Sequence, residues 1–217
     1  MFDPFSQEGG SKETKHLIWK SGQRQRVFKG PIFDICTVHR TSTDGRSSSF
    51  IEVDAPNWVT IIPWYRDEHG VPMMIMEEQF RHGSNTVTRE FPAGVVEEGE
   101  DPLDAALREL REETGLAGGR VTALGNVSPN SAFMNNRSYF YLVEGAEHVT
   151  GQELDPNEQL DVFSVPVSQV VADMGTGIYD NGIMMIALGF FLREAQKRPE
   201  LVTTLKKEST INNGKLQ

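Results

Sequence analysis

Short runs of apolar residues separated by turn sequences occupy the first ninety positions and predict β-structure. Two pairs of these runs enclose connections that contain aspartate and glycine, a composition that favours tight turns between antiparallel strands. Both pairs are predicted to be hairpins: residues 31–40 with 50–53, and residues 59–65 with 73–76. A further short strand is predicted over residues 86–91.

A helical periodicity replaces this pattern after residue 101 and predicts a helix over residues 102–114. Asp101 suits the N-cap, Pro102 the first helical position and Gly115 the C-terminal stop. Beyond it, strands are predicted at 121–127, 139–143 and 162–165, and helices at 168–174 and 182–196. Strands before, between and after helices predict an α/β fold, in which one mixed sheet is covered by helices in an α+β arrangement.

Composition limits the classes of function. The chain has 217 residues, of which 21 are basic and 31 acidic, giving a net charge of −10. A negative surface disfavours binding to nucleic acid or to anionic membranes. Cys36 is the only cysteine, which excludes an intramolecular disulfide and a cysteine-rich zinc site. With no apparent signal peptide and no apolar run long enough to span a bilayer, the sequence predicts a cytoplasmic protein.

Three carboxylates share one face of the predicted helix. Glu109, Glu112 and Glu113 are spaced i, i+3 and i+4, so they are neighbours on the helix surface. Like charges in this arrangement disfavour the helix by a few tenths of a kcal/mol per pair. A solvated acidic face would account for them if they stood alone. Hard divalent cations, which prefer oxygen ligands, would relieve the repulsion.

The residues around this face form a longer motif. From Gly94, five residues lead to Glu100 and seven more to Arg108-Glu109-Leu110, followed by Glu112-Glu113 and Gly115-Leu116. The span resembles the Nudix box at all nine of its specified positions. The resemblance implies a Nudix α-β-α sandwich that splits nucleoside diphosphates linked to a further group.

The resemblance also implies a role for each residue of the box. Glu109, Glu112 and Glu113 would ligate Mg²⁺, with Mn²⁺ as a possible substitute, and Glu112 would thereby serve catalysis. The backbone carbonyl of Ala93 would supply a further ligand. The remaining box residues would give structural support: Gly94, Glu100, Arg108 and Gly115.

The flanking sequence is similar to the ADP-ribose pyrophosphatase group. Glu78-Gln79-Phe80-Arg81 and Glu90-Phe91-Pro92-Ala93-Gly94 match motifs of that group. The similarity implies that Arg81 contacts the substrate phosphates and that Glu90 lies near the substrate. A surface ion pair remains the alternative for Arg81. Pro129 precedes the position at which the group carries its proline, so the sugar preference stays open.

A later stretch, Glu158-Gln159-Leu160-Asp161-Val162, is similar to a mobile loop that carries a catalytic glutamate in that group. Glu158 is therefore the candidate general base, which would orient the attacking water. Glu153 is the alternative, and an ordinary solvated acid is a third interpretation.

The resemblance also implies how the domains are organised and that the protein forms a homodimer. We expect a disordered N-terminus over residues 1–15, a β-sheet extension for dimerisation over 16–57, a Nudix domain over 58–197 and a polar tail over 198–217. In the group, such an extension exchanges between subunits and helps to build the substrate site. Trp19, Phe28 or another aromatic residue from the extension would then stack on the nucleobase.

The sequence thus predicts a Mg²⁺-dependent pyrophosphohydrolase of ADP-ribose or a related nucleoside diphosphate sugar. Its substrate would be a small nucleotide, and neither nucleic acid nor a membrane is an expected partner. Three alternatives remain: a non-catalytic nucleotide-sugar sensor, a hydrolase of dinucleoside polyphosphates, and an enzyme acting on capped RNA. The intact acidic cluster disfavours the sensor, and the net charge disfavours capped RNA.

Overall fold

The computed structural model describes residues 12–205. Residues 1–11 and 206–217, which belong to the predicted N-terminal segment and polar tail, lie outside this range. The α-helices are α1 (Pro102–Thr114), α2 (Val167–Asp173) and α3 (Gly182–Ala195), and there are short 3₁₀ turns at Lys12–Leu17 and Pro199–Leu201. The strands in chain order are β1 (Trp19–Lys29), β2 (Asp34–Ser42), β3 (Ser47–Asp54), β4 (Trp58–Arg66), β5 (Pro72–Arg81), β6 (Thr86–Glu90), β7 (Ala93–Val95), β8 (Leu116–Ala117), β9 (Arg120–Val127), β10 (Ser138–Glu144), β11 (Glu147–His148) and β12 (Leu160–Pro166).

The described chain divides into two units, each made of three segments. Unit 1 comprises residues 12–60, 93–109 and 124–141, and unit 2 comprises residues 61–92, 110–123 and 142–205. The strands form a three-stranded sheet in the order β1-β2-β3, a seven-stranded sheet in the order β12-β5-β4-β10-β9 with β6 on β5 and β7 on β4, and the pair β11-β8. This confirms the mixed α/β fold class. The short strands β7, β8 and β11 carry too few residues to give a periodic signal in the sequence.

Within unit 1, β1, β2 and β3 form an antiparallel sheet, and the first predicted hairpin is confirmed as β2–β3. The amide of Ser42 donates to the carbonyl of Arg46 over 2.9 Å, and Gly45 has a φ of 88°. A glycine adopts this left-handed conformation without steric cost. Almost every side chain of β1 is exposed along its eleven residues. The sheet therefore presents surface that unit 1 itself does not cover.

Unit 2 carries the antiparallel strands β12, β5 and β6, together with helices α2 and α3. The cross-strand register places Glu77 of β5 opposite Glu90 of β6, and Gln79 opposite Thr88. Because side chains alternate between the faces of a strand, Glu77, Gln79 and Arg81 point to one face of β5. The fully buried side chains of this unit are mainly apolar and include Ile61, Ile62, Met74, Met76, Phe91, Leu110, Leu142 and Phe191.

Helix α1 begins and ends as its capping residues predict. The Asp101 carboxylate accepts a hydrogen bond from the amide of Leu103 over 2.8 Å. At the other end Gly115 has a φ of 70°, and its amide donates to the carbonyl of Arg111 over 2.8 Å. The helix periodicity also makes Leu103 part of the buried face, but its side chain is 37% exposed. No helix within residues 12–205 has both the length and the apolar character needed to cross a bilayer.

Candidate active site

Arg108 organises the acidic residues of unit 1. Its guanidinium forms a two-bond ion pair with Glu100, with both N–O distances 3.0 Å. It also donates to Glu109 over 2.8 Å and to the carbonyl of Val95 over 3.0 Å. The hydrogen bonds that Arg108 donates to Glu100 lower the pKa of that carboxyl group. One arginine thus fixes Glu109 relative to the segment that precedes α1, with geometry that a planar guanidinium supplies and a lysine does not.

Gly94 provides the space that Glu109 occupies. A Cβ atom built at this position would overlap the carboxylate carbon of Glu109 and both of its oxygens. Gly94 has no positive φ, so its backbone conformation does not require glycine. The requirement is close approach, since the Glu109 carboxylate lies directly against the backbone of β7.

Arg81 and Glu90 form the central ion pair of unit 2. Nε and Nη2 of Arg81 donate to the two oxygens of Glu90 over 3.0 and 2.6 Å. Burial alone would raise the pKa of Glu90, but hydrogen bonds from Arg81, Thr88 and Asn181 bring it below its ordinary value. Asn181 also caps α3 by accepting from the amide of Ile183. Glu90 is wholly buried, whereas the Arg81 side chain is 39% exposed, so the arginine can reach a ligand.

Glu77 is a buried acid that the sequence reasoning did not single out. It has no solvent exposure, and its Oε1 accepts a hydrogen bond from Gln79 over 2.9 Å. Its Oε2 has no hydrogen-bond partner. Removal from water raises the pKa of Glu77 to about 8, opposed by the charge of Arg81 and reinforced by those of Glu90 and Glu158. The available signal was its place directly after the apolar run of residues 73–76, where a side chain of the strand can still be buried.

The C-terminal half of α1 carries Glu112 and Glu113, and the loop after β11 is attached to it. The amide of Glu153 donates to the carbonyl of Glu112, and the side chain of Gln152 donates to the carbonyl of Glu113, each over 2.8 Å. Glu113 is only 2% exposed. Burial by itself would lower the pKa of Arg81, but the hydrogen bonds and charge of Glu90, with smaller contributions from the charges of Glu77 and Glu113, hold it above its ordinary value.

The two candidate general bases occupy different environments in unit 2. The carboxylate of Glu153 pairs with Arg111 over 2.9 Å, and both side chains are about half exposed. Glu158 is exposed and accepts one long hydrogen bond, 3.3 Å, from the amide of Asp155. The negative charge of Glu158 contributes to the raised pKa of Glu77. Glu158 is therefore the less restrained of the two carboxylates.

The donor set suits a hard cation. Glu109, Glu112 and Glu113 offer carboxylate oxygens on one helix, and Ala93 offers a backbone carbonyl; oxygen ligands of this kind are those that Mg²⁺ and Mn²⁺ prefer. Glu113 is buried, and an ionised carboxylate in that position gains from a positive partner. Among residues 12–205, no three acidic, histidine or cysteine side chains are already arranged around a common point as metal ligands. The three carboxylates fit such an ion in their type and in their spacing along α1.

Unit 1 contains a cavity of about 450 Å³ on the N-terminal sheet. Trp19 and Phe50 form one wall, with their rings edge to face at 5.5 Å. The segment 131–134 forms another and is attached to β3, because the amide of Val53 donates to the carbonyl of Phe133 over 2.7 Å. Phe28 is 56% exposed and does not line the cavity.

Comparison with known proteins identifies the family. The model of the NUDIX domain matches residues 56–183, which is more than half of the chain. The chain belongs to the Nudix family. The matched residues include the whole Nudix box and its Arg81 and Glu90 flanks, so the resemblance inferred from the sequence is confirmed.

Among the relatives of this Nudix chain are two ADP-ribose pyrophosphatases. That of Bacillus subtilis is 28% identical over 158 residues, which covers 72% of this chain and 83% of the relative. That of Saccharomyces cerevisiae is 34% identical over 171 residues, which covers 75% of this chain and 71% of the relative. A crystal structure of an ADP compounds hydrolase has a TM-score of 0.71 at 16% identity, covers 84% of this chain and 96% of its own, and shows the same fold. The protein is thus a Nudix hydrolase related to enzymes that act on ADP-ribose.

The close approach at Gly94 leads to a prediction about stability. In Gly94→Ala the new methyl group has to displace the Glu109 carboxylate from Arg108, so we expect a loss of about 1–3 kcal/mol in the free energy of unfolding. Urea titration followed by circular dichroism measures it. Gly83→Ala is the control, because a Cβ there meets nothing within 4 Å and should change the value by about 0.5 kcal/mol or less. Equal stability of the two variants would contradict the packing argument.

Proposed function

We propose that this Nudix hydrolase is a Mg²⁺-dependent pyrophosphohydrolase, with Mn²⁺ able to substitute. It would cleave the diphosphate of ADP-ribose or a related nucleoside diphosphate sugar into a nucleoside monophosphate and a sugar phosphate. The observation that carries the proposal is the intact acidic face of α1, with Glu109 held by Arg108 against Gly94. A protein that only bound nucleotides would have little use for this crowded set of carboxylates.

We infer the roles of the cation and of Arg81 from their charges. A divalent cation held by Ala93, Glu109, Glu112 and Glu113 would neutralise phosphate charge and make a bound water more acidic. Arg81 uses two of its five N–H groups on Glu90, so the others are available for a phosphate oxygen. Glu90 orients Arg81 and keeps its guanidinium from folding back onto other acids. Diphosphate is thus the group for which this part of the protein is suited.

We propose Glu158 as the general base, with Glu153 as the alternative. The base accepts a proton from the attacking water, so it needs a carboxylate that is free to move towards the substrate. Glu153 is restrained by its ion pair with Arg111, and its backbone is attached to Glu112. Glu158 has only the long contact with the Asp155 amide. This difference in restraint favours Glu158.

We also propose that the cavity beside Trp19 takes the nucleobase. Its aromatic wall offers a surface for stacking, and its volume of about 450 Å³ is within the range of small-molecule sites. We further propose a homodimer through the β1–β2–β3 sheet. Strand β1 is exposed over most of its length, and its apolar Val27 is a side chain that a second copy would cover.

The proposed reaction can be tested with a substrate panel. The panel contains ADP-ribose, other nucleotide sugars, dinucleoside polyphosphates, capped RNA and nucleoside triphosphates. With Mg²⁺ we expect the purified protein to cleave ADP-ribose or another nucleotide sugar, and EDTA should abolish cleavage. Glu112→Gln should lower kcat by about 10²-fold or more, because a cation ligand is lost. Asp104→Asn is the control, since Asp104 is an exposed acid on the same helix.

Products are identified by chromatography. Tight binding of ADP-ribose without any product would instead indicate a sensor. Cleavage restricted to dinucleoside polyphosphates or to capped RNA would keep the Nudix assignment and replace the substrate class.

The second prediction separates the two candidate bases. Glu158→Gln should lower kcat by about 10²- to 10⁴-fold with little change in KM, because the amide cannot accept the proton from water. Glu153→Gln should retain most of the activity, and it serves as the matched control from the same loop. Both are measured by steady-state kinetics in saturating Mg²⁺. The reverse pattern would transfer the role to Glu153.

The third prediction tests the nucleobase cavity. Trp19→Ala should raise KM about 5- to 100-fold, the loss expected for one base–aromatic stack. Phe28→Ala removes an aromatic ring that lies outside the cavity and should leave KM within about twofold. Light scattering should show that both variants retain the wild-type mass, which we expect to be twice that of one chain. A larger effect on KM from Phe28→Ala would place the base elsewhere.

A further inference from the structure

A third carboxyl group lies next to the ion pair that we propose for substrate binding. Glu77 and Glu90 are direct cross-strand partners on β5 and β6, and both are fully buried. Among residues 12–205, Arg81, on the same face of β5, is the cation that bonds to one of them. Its hydrogen bonds go to Glu90, while Glu77 accepts a single hydrogen bond from the side-chain amide of Gln79. Two acids therefore share one arginine, and only one of them is paired.

The surroundings of Glu77 within the described part of the chain add further negative charge. Glu158 acts on it from the segment before β12, and Glu113 faces Arg81 from α1. Across the other edge of β5, its partner on β12 is the apolar Val162. Oε2 of Glu77 has no hydrogen-bond partner. Burial of an ionised carboxylate here is compensated only in part, by the charge of Arg81 and the hydrogen bond from Gln79, so the acid form is favoured.

We propose that Glu77 is a positioning residue for anion binding, which stays uncharged so that Glu90 alone neutralises Arg81. The inference rests on the proposed role of Arg81 as the contact for the substrate phosphates. With Glu77 uncharged, the group of Glu77, Glu90 and Arg81 has no net charge. With Glu77 ionised, the same group has a net charge of −1 and repels an incoming diphosphate.

The pKa of Glu77 sets the pH range over which anion binding should change. The raised pKa of about 8 means that Glu77 is mostly protonated at neutral pH and mostly ionised at pH 9. Binding of an anion should therefore weaken as the pH rises through this value. A glutamine has similar size and remains uncharged, so Glu77→Gln should remove this component of the pH dependence.

The test is binding of inorganic pyrophosphate, measured by titration calorimetry in EDTA at pH 6.5 and pH 9.0. Wild type and Glu77→Gln should bind equally at pH 6.5, and at pH 9.0 the wild type should be weaker by about fivefold or more. Comparing the two proteins at each pH cancels the ionisation of pyrophosphate itself. Glu78→Gln is the matched control, because Glu78 is the next residue, points to the other face and pairs with Arg89. It should follow the wild type at both pH values.

A second measurement follows protonation without a ligand. A carboxyl group with a raised pKa in the folded state contributes stability that is fully present below its unfolded value and is lost as the pH rises through about 8. Thermal unfolding from pH 5 to 9 should therefore show Glu77→Gln gaining in Tm relative to wild type, by about 4 °C or more at the upper end.

The outcomes separate this proposal from the proposed reaction. Neither measurement requires turnover, so failure to cleave ADP-ribose would leave the expected results for Glu77 unchanged. The proposal is overturned if Glu77→Gln shows the same pH dependence of pyrophosphate affinity as wild type, or if pyrophosphate fails to bind at either pH. It is also overturned if Glu77→Gln binds more weakly than wild type at pH 6.5. If the protein cleaves ADP-ribose but gives one of these three binding results, the proposed reaction stands and the proposed role of Glu77 is wrong.

Discussion

Repulsion among carboxylates, and its relief by two arginines, is the constraint on which the candidate site depends. Arg108 joins Glu100 to Glu109 in unit 1, and Arg81 pairs with Glu90 in unit 2. Each arginine bonds to both oxygens of one carboxylate, which fixes the direction in which that acid points. Within each unit, one arginine thus decides which carboxylate is held in a fixed direction.

Glu77 and Glu90 of unit 2 are both buried glutamates, but their surroundings shift their pKa values in opposite directions. Glu90 is ionised because three donors surround it, whereas Glu77 lies beside it with a single donor. The same strand pair thus holds a charged and an uncharged glutamate at directly opposed positions. A charged group is tolerated in the interior only with hydrogen bonds or an opposite charge, and there is one arginine for two acids. Because β5 and β6 place two acids beside one arginine, the charge state of Glu77 would affect the proposed binding of an anion by Arg81.

The N-terminal sheet carries the surface for which we propose binding of the nucleobase and a second copy. Its first strand is exposed almost throughout, and residues of all three strands, together with the segment 131–134, line a cavity with an aromatic wall. The Nudix model begins only at residue 56, so this sheet lies outside the part that defines the family. In the proposed function, the Nudix region would therefore carry out the cleavage, and the sheet would supply the preference for a particular nucleoside.

Elements and residues with a local signal could be predicted from the sequence. Helix α1, its caps and the β2–β3 hairpin follow from residues close together in the chain, and so do the box carboxylates, because helical spacing places them side by side. Three features became visible in the folded chain: Arg108 bonds to both Glu100 and Glu109, Gly94 accommodates the Glu109 carboxylate, and Trp19 rather than Phe28 lines the cavity. The tertiary structure alone brought Glu77 opposite Glu90. These contacts depend on strand register and on burial, which join residues distant in sequence and leave no periodic pattern.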